Sequence, residues 1–345
     1  MNRILIIAPN WIGDAVMSQP LLASLKEIYP HSSIDVLASP WVASIYRSCA
    51  EVNEIIEAGL AHKQLQWGLR KQIAAQLKTR QYEACFVLPN SFKSALVPWL
   101  ANIPFRFGYR GEMRFGLINF SLDNPKKINR PPMADHYLAL AQVLSKSKGS
   151  GNLEPADPKL NVSAIAQETI RTKLRHASIP EESIYVLCPG AEYGVTKRWP
   201  PEHFADLINR LIATNSLAHI ILLGGKGDHN LAKSIQTQAG QSTHLHNWCG
   251  ETSLDEAIAL IGMSKTLITN DSGLMHIGAA LKVPQVAIFG SSDPRHTPPL
   301  SNKAKVLWLN LPCSPCHKRE CPLGHLKCLK DILPEDVFQA TQTLY

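Results

Sequence analysis

Thr266-Leu267-Ile268-Thr269-Asn270-Asp271-Ser272-Gly273-Leu274-Met275-His276-Ile277-Gly278-Ala279-Ala280-Leu281 is the stretch that decides the fold. Residues 266–269 form a short apolar and β-branched run, which suits a strand buried on both faces. From Ser272 the pattern becomes helical, with Leu274, Ile277 and Leu281 on one face. Residues 285–289 read as a strand again. Strand, tight turn, helix and strand make the unit from which parallel sheets are wound. The helix opens on small Ser272 and Gly273, so its first N–H groups are unobstructed. Those groups and the positive end of the helix dipole form a ready anion site. A helix cap would explain Asp271 equally well, but a carboxylate beside such a site also orients sugar hydroxyls.

The same rhythm extends outward in both directions. Strands are expected at residues 3–8, 34–38, 54–57 and 84–88, with helices at 15–28, 41–48 and 67–78. The segment 146–155 is small, polar and broken by Gly and Pro, as an excursion near a domain boundary would be. A helix at 164–176 precedes a second series: strands 184–188 and 219–223, helices 202–214 and 231–238, then a helix at 254–263. Two consecutive doubly wound α/β domains, facing across a common cleft, are the simplest architecture. Ligands in such sheets sit beyond the carboxyl ends of the strands. Two domains with facing loops suit a two-substrate transfer.

Composition agrees. The 345 residues exceed what one core usually fills, and 45% apolar with 18% charged residues is ordinary for a globular protein. No apolar run is long enough to span a bilayer, and the apolar part of the N-terminus is too short for a signal peptide. The eight cysteines, several in apolar runs, suit a reducing compartment, so a cytoplasmic enzyme is the plain expectation. The formal charge of +7 is concentrated: Lys93, Arg106, Arg110, Arg114, Lys126, Lys127 and Arg130 share one stretch with Phe92, Trp99, Phe105, Phe107, Tyr109 and Phe115. Such interleaving suits an anionic substrate or surface; no nucleic-acid motif accompanies it.

Three further strand-end loops carry candidate chemistry. Asn10-Trp11-Ile12-Gly13-Asp14 follows the first strand, where Asp14 is either a helix cap or a catalytic carboxylate. Lys197-Arg198-Trp199-Pro200 places two cations before a helix, as a phosphate would require, although exposed cations more often only solvate a loop. Gly224-Gly225-Lys226-Gly227-Asp228 is neither the dinucleotide fingerprint nor a P-loop.

Taken together, Asn10 to Val16, the Lys197–Pro200 loop and Asn270 to His276 resemble the ADP-heptose:lipopolysaccharide heptosyltransferases, glycosyltransferase family 9. Cys313-Ser314-Pro315-Cys316 through His325 and Cys328 resembles the type that adds the second heptose. The resemblance implies a GT-B architecture. Residues 1–165 would bind the acceptor and 166–345 the donor, with the last helix packing back on the first domain. It implies an inverting transfer of L-glycero-D-manno-heptose from ADP-heptose to heptose I of the Kdo–lipid A inner core, at the cytoplasmic face of the inner membrane. Asp14 would be the general base and Lys197 the diphosphate contact. Asp228, Asp271, Ser272, Gly273 and His276 would bind the donor. Asn10, Lys93, Arg106, Arg110 and Arg114 are expected around the anionic acceptor. No Asp-x-Asp metal motif ends a strand, so no metal cofactor is expected in the transfer.

Cys313, Cys316, Cys321 and Cys328 have a spacing compatible with a structural zinc, but a loop of reduced thiols is the plainer reading. Rival functions are a first-heptose enzyme, a sugar-nucleotide epimerase of the same fold, or a metal-dependent interaction protein. A nicotinamide dehydrogenase is disfavoured, because no Gly-x-Gly-x-x-Gly follows the first strand.

Overall fold

The computed structural model describes residues 1–60, 64–126, 130–147, 153–240 and 242–345. Lys127 of the basic stretch and residues 148–152 of the polar excursion lie outside these. The chain forms two compact units, Met1–Leu160 and Asn161–Tyr345.

The first unit runs β1 (Arg3–Ile7), α1 (Ile12–Met17), α2 (Gln19–Ile28), β2 (Ser33–Ala38), α3 (Pro40–Arg47), β3 (Val52–Glu57), α4 (Trp67–Thr79), β4 (Ala84–Val87), α5 (Phe92–Leu100), β5 (Phe105–Tyr109), β6 (Phe120–Leu122) and α6 (Met133–Ser147). Its sheet has the order β3-β2-β1-β4-β5-β6, and every pairing is parallel. The four residues after Arg3 in β1 are all buried, because helices cover both faces of such a sheet. The expected helix 15–28 is instead broken at Ser18. Pro20 has no N–H to donate to the preceding turn, and the Ser18 hydroxyl bonds the Ala15 carbonyl at 2.8 Å.

The second unit runs α7 (Ala164–His176), β7 (Ile184–Cys188), α8 (Pro201–Thr214), β8 (His219–Leu222), α9 (His229–Ala239), β9 (Leu245–Asn247), α10 (Leu254–Met263), β10 (Thr266–Asn270), α11 (Gly273–Ala280), β11 (Gln285–Ile288), β12 (Ala304–Leu307), α12 (Lys327–Lys330) and α13 (Pro334–Gln342). Its order, β12-β11-β10-β7-β8-β9, repeats that of the first sheet, and it too is wholly parallel. A division at residue 165 would cut α7, which the Ser163 hydroxyl caps and which packs on α10. The last helix, α13, packs on α8 and β11 of its own unit.

In both sheets the winding reverses beside the first strand: between β1 and β4, and between β7 and β10. Loops leaving these neighbouring strands diverge to opposite faces and open a crevice, which is where doubly wound proteins bind ligands. The crevices are bounded by the loops after β1 and β4 in one unit, and after β7 and β10 in the other.

Candidate active site

The second crevice is the more elaborate. Asn270, fully buried at the end of β10, joins its two walls. Its side-chain oxygen accepts the Trp199 N–H at 3.0 Å, and its amide donates to the Pro189 carbonyl at 2.7 Å. Trp199 is anchored in turn by its indole N–H on the Ile332 carbonyl, 2.9 Å away. Residues 189–199 are therefore held against the turn 270–273.

Within that frame Lys197 Nζ lies 2.5 Å from Asp271 Oδ2. The lysine side chain is 18% exposed and the aspartate 4%. The Ser292 hydroxyl donates to the same carboxylate oxygen, and the Tyr193 ring faces the ammonium at 5.2 Å. Ser272 is the N-cap residue of α11 and makes no side-chain cap bond. Asp271 therefore does not cap the helix; its backbone N–H bonds Ile288 and its carboxylate fixes the lysine. Gly273 opens the helix, whose first N–H groups have no intrahelical acceptor. His276 lies buried one turn on, and burial pulls its imidazole down to about 4, against the opposing pull of Asp271. It is therefore neutral at pH 7.

Gly190 shows how tightly the crevice floor is packed. A side-chain carbon there would stand 2.3 Å from the Asp228 carboxylate. That carboxylate folds back on its own turn, accepting the Gly225 N–H at 3.0 Å. Asp228 thus sits at the carboxyl ends of β7 and β8, partly engaged by its own loop.

The cysteine segment buttresses the Lys197 loop. Thr196 donates to the Lys318 carbonyl at 2.5 Å, Tyr193 donates to His317 at 2.8 Å, and the Ser291 hydroxyl donates to Thr196 at 3.0 Å. Gly194, at φ 152°, passes so close to Arg319 that a side-chain carbon would stand 2.7 Å from its carbonyl oxygen. All eight cysteines are free thiols. Cys313, Cys316, Cys321 and Cys328 line one cavity of about 20 Å³. Backbone N–H groups, led by that of Leu326, hold the Cys321 thiol below its usual range, whereas burial pushes Cys328 up to about 11. Among the described residues no three His, Cys, Asp or Glu side chains are arranged to hold a metal ion.

In the first crevice Asp14 occupies the third position of α1. Trp11 is the N-cap residue there and makes no side-chain cap bond, so Asp14 is not the cap. The carboxylate is half-buried near Tyr46 and Tyr137, whose phenols are raised mainly by burial and further by its charge. Asn10 is exposed, and its carbonyl is held by the Trp41 indole at 2.8 Å.

The expected acceptor cations divide. Arg106 donates to the carbonyls of Leu117 at 2.7 Å, Ile103 at 2.5 Å and Gly116 at 3.3 Å. Arg114 is buried and donates to the Pro89 carbonyl at 2.7 Å, the Asn90 side chain at 3.0 Å and the Tyr109 carbonyl. These two guanidiniums hold loops together. Arg110 is exposed and pairs with Asp123 at 2.9 Å; half-exposed Lys93 donates to the Gln64 carbonyl at 3.3 Å. Asn270, Ser292 and Tyr193 were not singled out from the sequence. Only Asn270 left a signal there, as a polar residue ending an otherwise buried strand.

Comparison with known proteins shows the family. The family model described as glycosyltransferase family 9 (heptosyltransferase) matches residues 70–327. Lipopolysaccharide heptosyltransferase 2 of Salmonella typhimurium is 40% identical over 350 residues, covering 99% of this chain and 98% of the relative. Its Escherichia coli K12 counterpart is 40% identical over 348 residues, with the same shares. The solved E. coli ADP-heptose lps heptosyltransferase II superposes with a TM-score of 0.85 at 37% identity, covering 100% of this chain and 98% of that one. With a matching model over most of its length and full-length relatives of one kind, the chain belongs to glycosyltransferase family 9, the heptosyltransferases.

Proposed function

We propose that the protein transfers L-glycero-D-manno-heptose, with inversion, from ADP-heptose to heptose I of the Kdo–lipid A inner core. The observation that carries this reading is the Lys197–Asp271 pair at the opening of α11, on the switch point of the second sheet. A helix terminus and a fixed ammonium there match a diphosphate leaving group. The full-length relatives named heptosyltransferase 2 support heptose as the sugar and the lipopolysaccharide core as the acceptor.

In the proposed step Asp14 takes the proton from the acceptor hydroxyl as its oxygen attacks the anomeric carbon. The bond from that carbon to the diphosphate oxygen breaks on the opposite face, and ADP departs as an anion. Lys197 and the N–H groups at Ser272 and Gly273 meet the developing charge, so the step needs no metal. Asp271 and Ser292 keep the lysine in place, and neutral His276 adds no charge beneath the sugar. Asp228 is assigned to the ribose side of the donor. Asn10, Lys93, Arg106, Arg110 and Arg114 are assigned to the acceptor side, with Arg110 the most accessible of the cations. Among the described residues no helix is long and apolar enough to cross a membrane. A peripheral position at the cytoplasmic face of the inner membrane fits an acceptor anchored by lipid.

The test is incubation with ADP-heptose and a heptose-I-terminated acceptor, read by mass spectrometry. Gain of one heptose on the acceptor, with release of ADP, is expected. Turnover of a different nucleotide sugar, or release of nucleotide without a glycosylated product, would overturn the reading.

A further inference from the structure

Two large side chains at the first crevice have no task in the transfer step as described. Trp11 and Trp41 are 48% and 49% exposed. They follow neighbouring parallel strands, Trp11 after β1 and Trp41 after β2, so both stand at the carboxyl end of the sheet. Single exposed apolar residues are ordinary. Two indoles at the mouth of one crevice form an apolar patch beside the half-buried carboxylate of Asp14.

Neither indole belongs to a loosely held segment. Trp11 is the N-cap residue of α1, and its carbonyl accepts the Ala15 N–H at 2.9 Å. Asp14 is the third residue of that helix. Side chains at the N-cap and third positions leave a helix end beside one another, which is the geometry that lets a capping box form. Trp41 is the second residue of α3, directly after Pro40, and the five residues that follow it, Val42 to Tyr46, are all buried. α3 packs on α1, where the Tyr46 and Ser18 hydroxyls lie 2.9 Å apart.

The Trp41 indole N–H donates to the Asn10 carbonyl at 2.8 Å. An indole has a single polar atom, and that of Trp41 is engaged within the protein. The surface it offers to solvent is therefore apolar ring, pinned to the loop that carries Asp14.

The position of the base selects the occupant. A general base acts from about 2.6–3.2 Å, so the sugar ring bearing the attacking hydroxyl must lie against Asp14 and its immediate surroundings. A pyranose carries hydroxyls around its rim and C–H bonds on its faces. Such a ring suits a rigid aromatic surface with polar groups at the margin.

We propose that Trp41, with Trp11 beside it, is the platform on which the acceptor sugar stacks through its C–H face, presenting its attacking hydroxyl to Asp14. The proposal rests on the reading of the protein as a heptosyltransferase with Asp14 as its base.

Calorimetric titration of the full chain with a deacylated, heptose-I-terminated acceptor, in the absence of donor, reads binding alone; steady-state rates read turnover. Trp41→Ala should weaken acceptor binding and raise acceptor KM by about tenfold or more, as truncation of a central Trp does, with KM for ADP-heptose unchanged. Trp41→Phe keeps an aromatic face but cannot donate to Asn10, and it should recover most of the lost affinity. If Trp41 only tethers the loop, the Phe and Ala variants fail alike and kcat carries the loss instead of acceptor KM. Either result overturns the proposal, as does parental acceptor affinity in Trp11→Ala/Trp41→Ala. A parent that turns over while this double variant binds acceptor equally well sinks the platform alone. A parent that neither binds the acceptor nor transfers heptose to it sinks the transferase reading with it.

Discussion

Replacing Lys197 with Ala separates the two tasks assigned to this residue. At 2.5 Å and an effective dielectric of about 20, the Lys197–Asp271 attraction is about 7 kcal/mol before desolvation. Removing the charges from water offsets much of that, so the net worth of the pair is far smaller. Truncating one partner leaves the Asp271 carboxylate, only 4% exposed, with the Ser292 hydroxyl and no cation. Breaking a buried pair this way costs about 3–5 kcal/mol, and the remaining exposure of Lys197 places this case at about 3. For a unit of this size that lowers the melting temperature by about 6–12 °C. Loss of a donor aimed at the leaving group costs a further 10²–10³-fold in rate, about 2.7–4 kcal/mol. Adding Asp271→Asn removes the stranded charge. Thermal denaturation should then show most of the stability restored, while kcat/KM with ADP-heptose stays depressed. The reasoning is refuted if the double variant recovers rate together with stability, or if Lys197→Ala loses stability but turns over like the parent.

Asp14→Asn should lower kcat by about 10²–10⁴-fold, the usual contribution of a positioned base, while calorimetry shows ADP binding unchanged. Asn270→Ala strands the Trp199 N–H and the Pro189 carbonyl inside the second unit, at about 1–3 kcal/mol for each buried group left unpaired. A denaturant titration should show that loss, accompanied by weaker ADP binding as the Lys197 loop drifts. His276 is held to about 4 in the folded protein against about 6.5 unfolded, so the unfolded chain takes up the proton first as pH falls. The contribution of neutral His276 is fully present above pH 6.5 and declines toward pH 4, by up to about 1.4 kcal/mol per pH unit. His276→Gln should flatten that part of the stability profile; an unchanged acid limb would contradict the burial argument.

The two sheets were legible because parallel strands covered on both faces must be continuous apolar runs, and here Ile4 to Ile7 and Ile184 to Cys188 stand out from their flanks. The crevice loops were legible because small residues beside a carboxylate or a cation, at a strand's end, are uncommon without a purpose. The break at Ser18 was overlooked although Pro20 signals it: the helical period of the apolar residues continues through the break and hides it. The different surroundings of the basic residues were hidden for another reason. Arg106, Arg110 and Arg114 look alike as letters. Only the turn between β5 and β6 brings the Leu117 and Gly116 carbonyls to Arg106, and only the loop after β4 brings Pro89 and Asn90 to Arg114, leaving Arg110 at the surface.

Local order alone therefore determined the element sequence, the two doubly wound sheets and the positions of Asp14, Lys197 and Asp271 at strand ends, because periodicity and turn chemistry act over a few residues. Whether Asp271 caps a helix or clamps a lysine, which carbonyls an arginine reaches, and how Asn270 ties down both ends of a loop, at Trp199 and Pro189, 71 and 81 residues before it, are matters of tertiary structure. Those outcomes depend on which buried polar groups must be satisfied once the sheets have closed, and a buried donor takes the acceptor that packing brings to it, however distant in the chain.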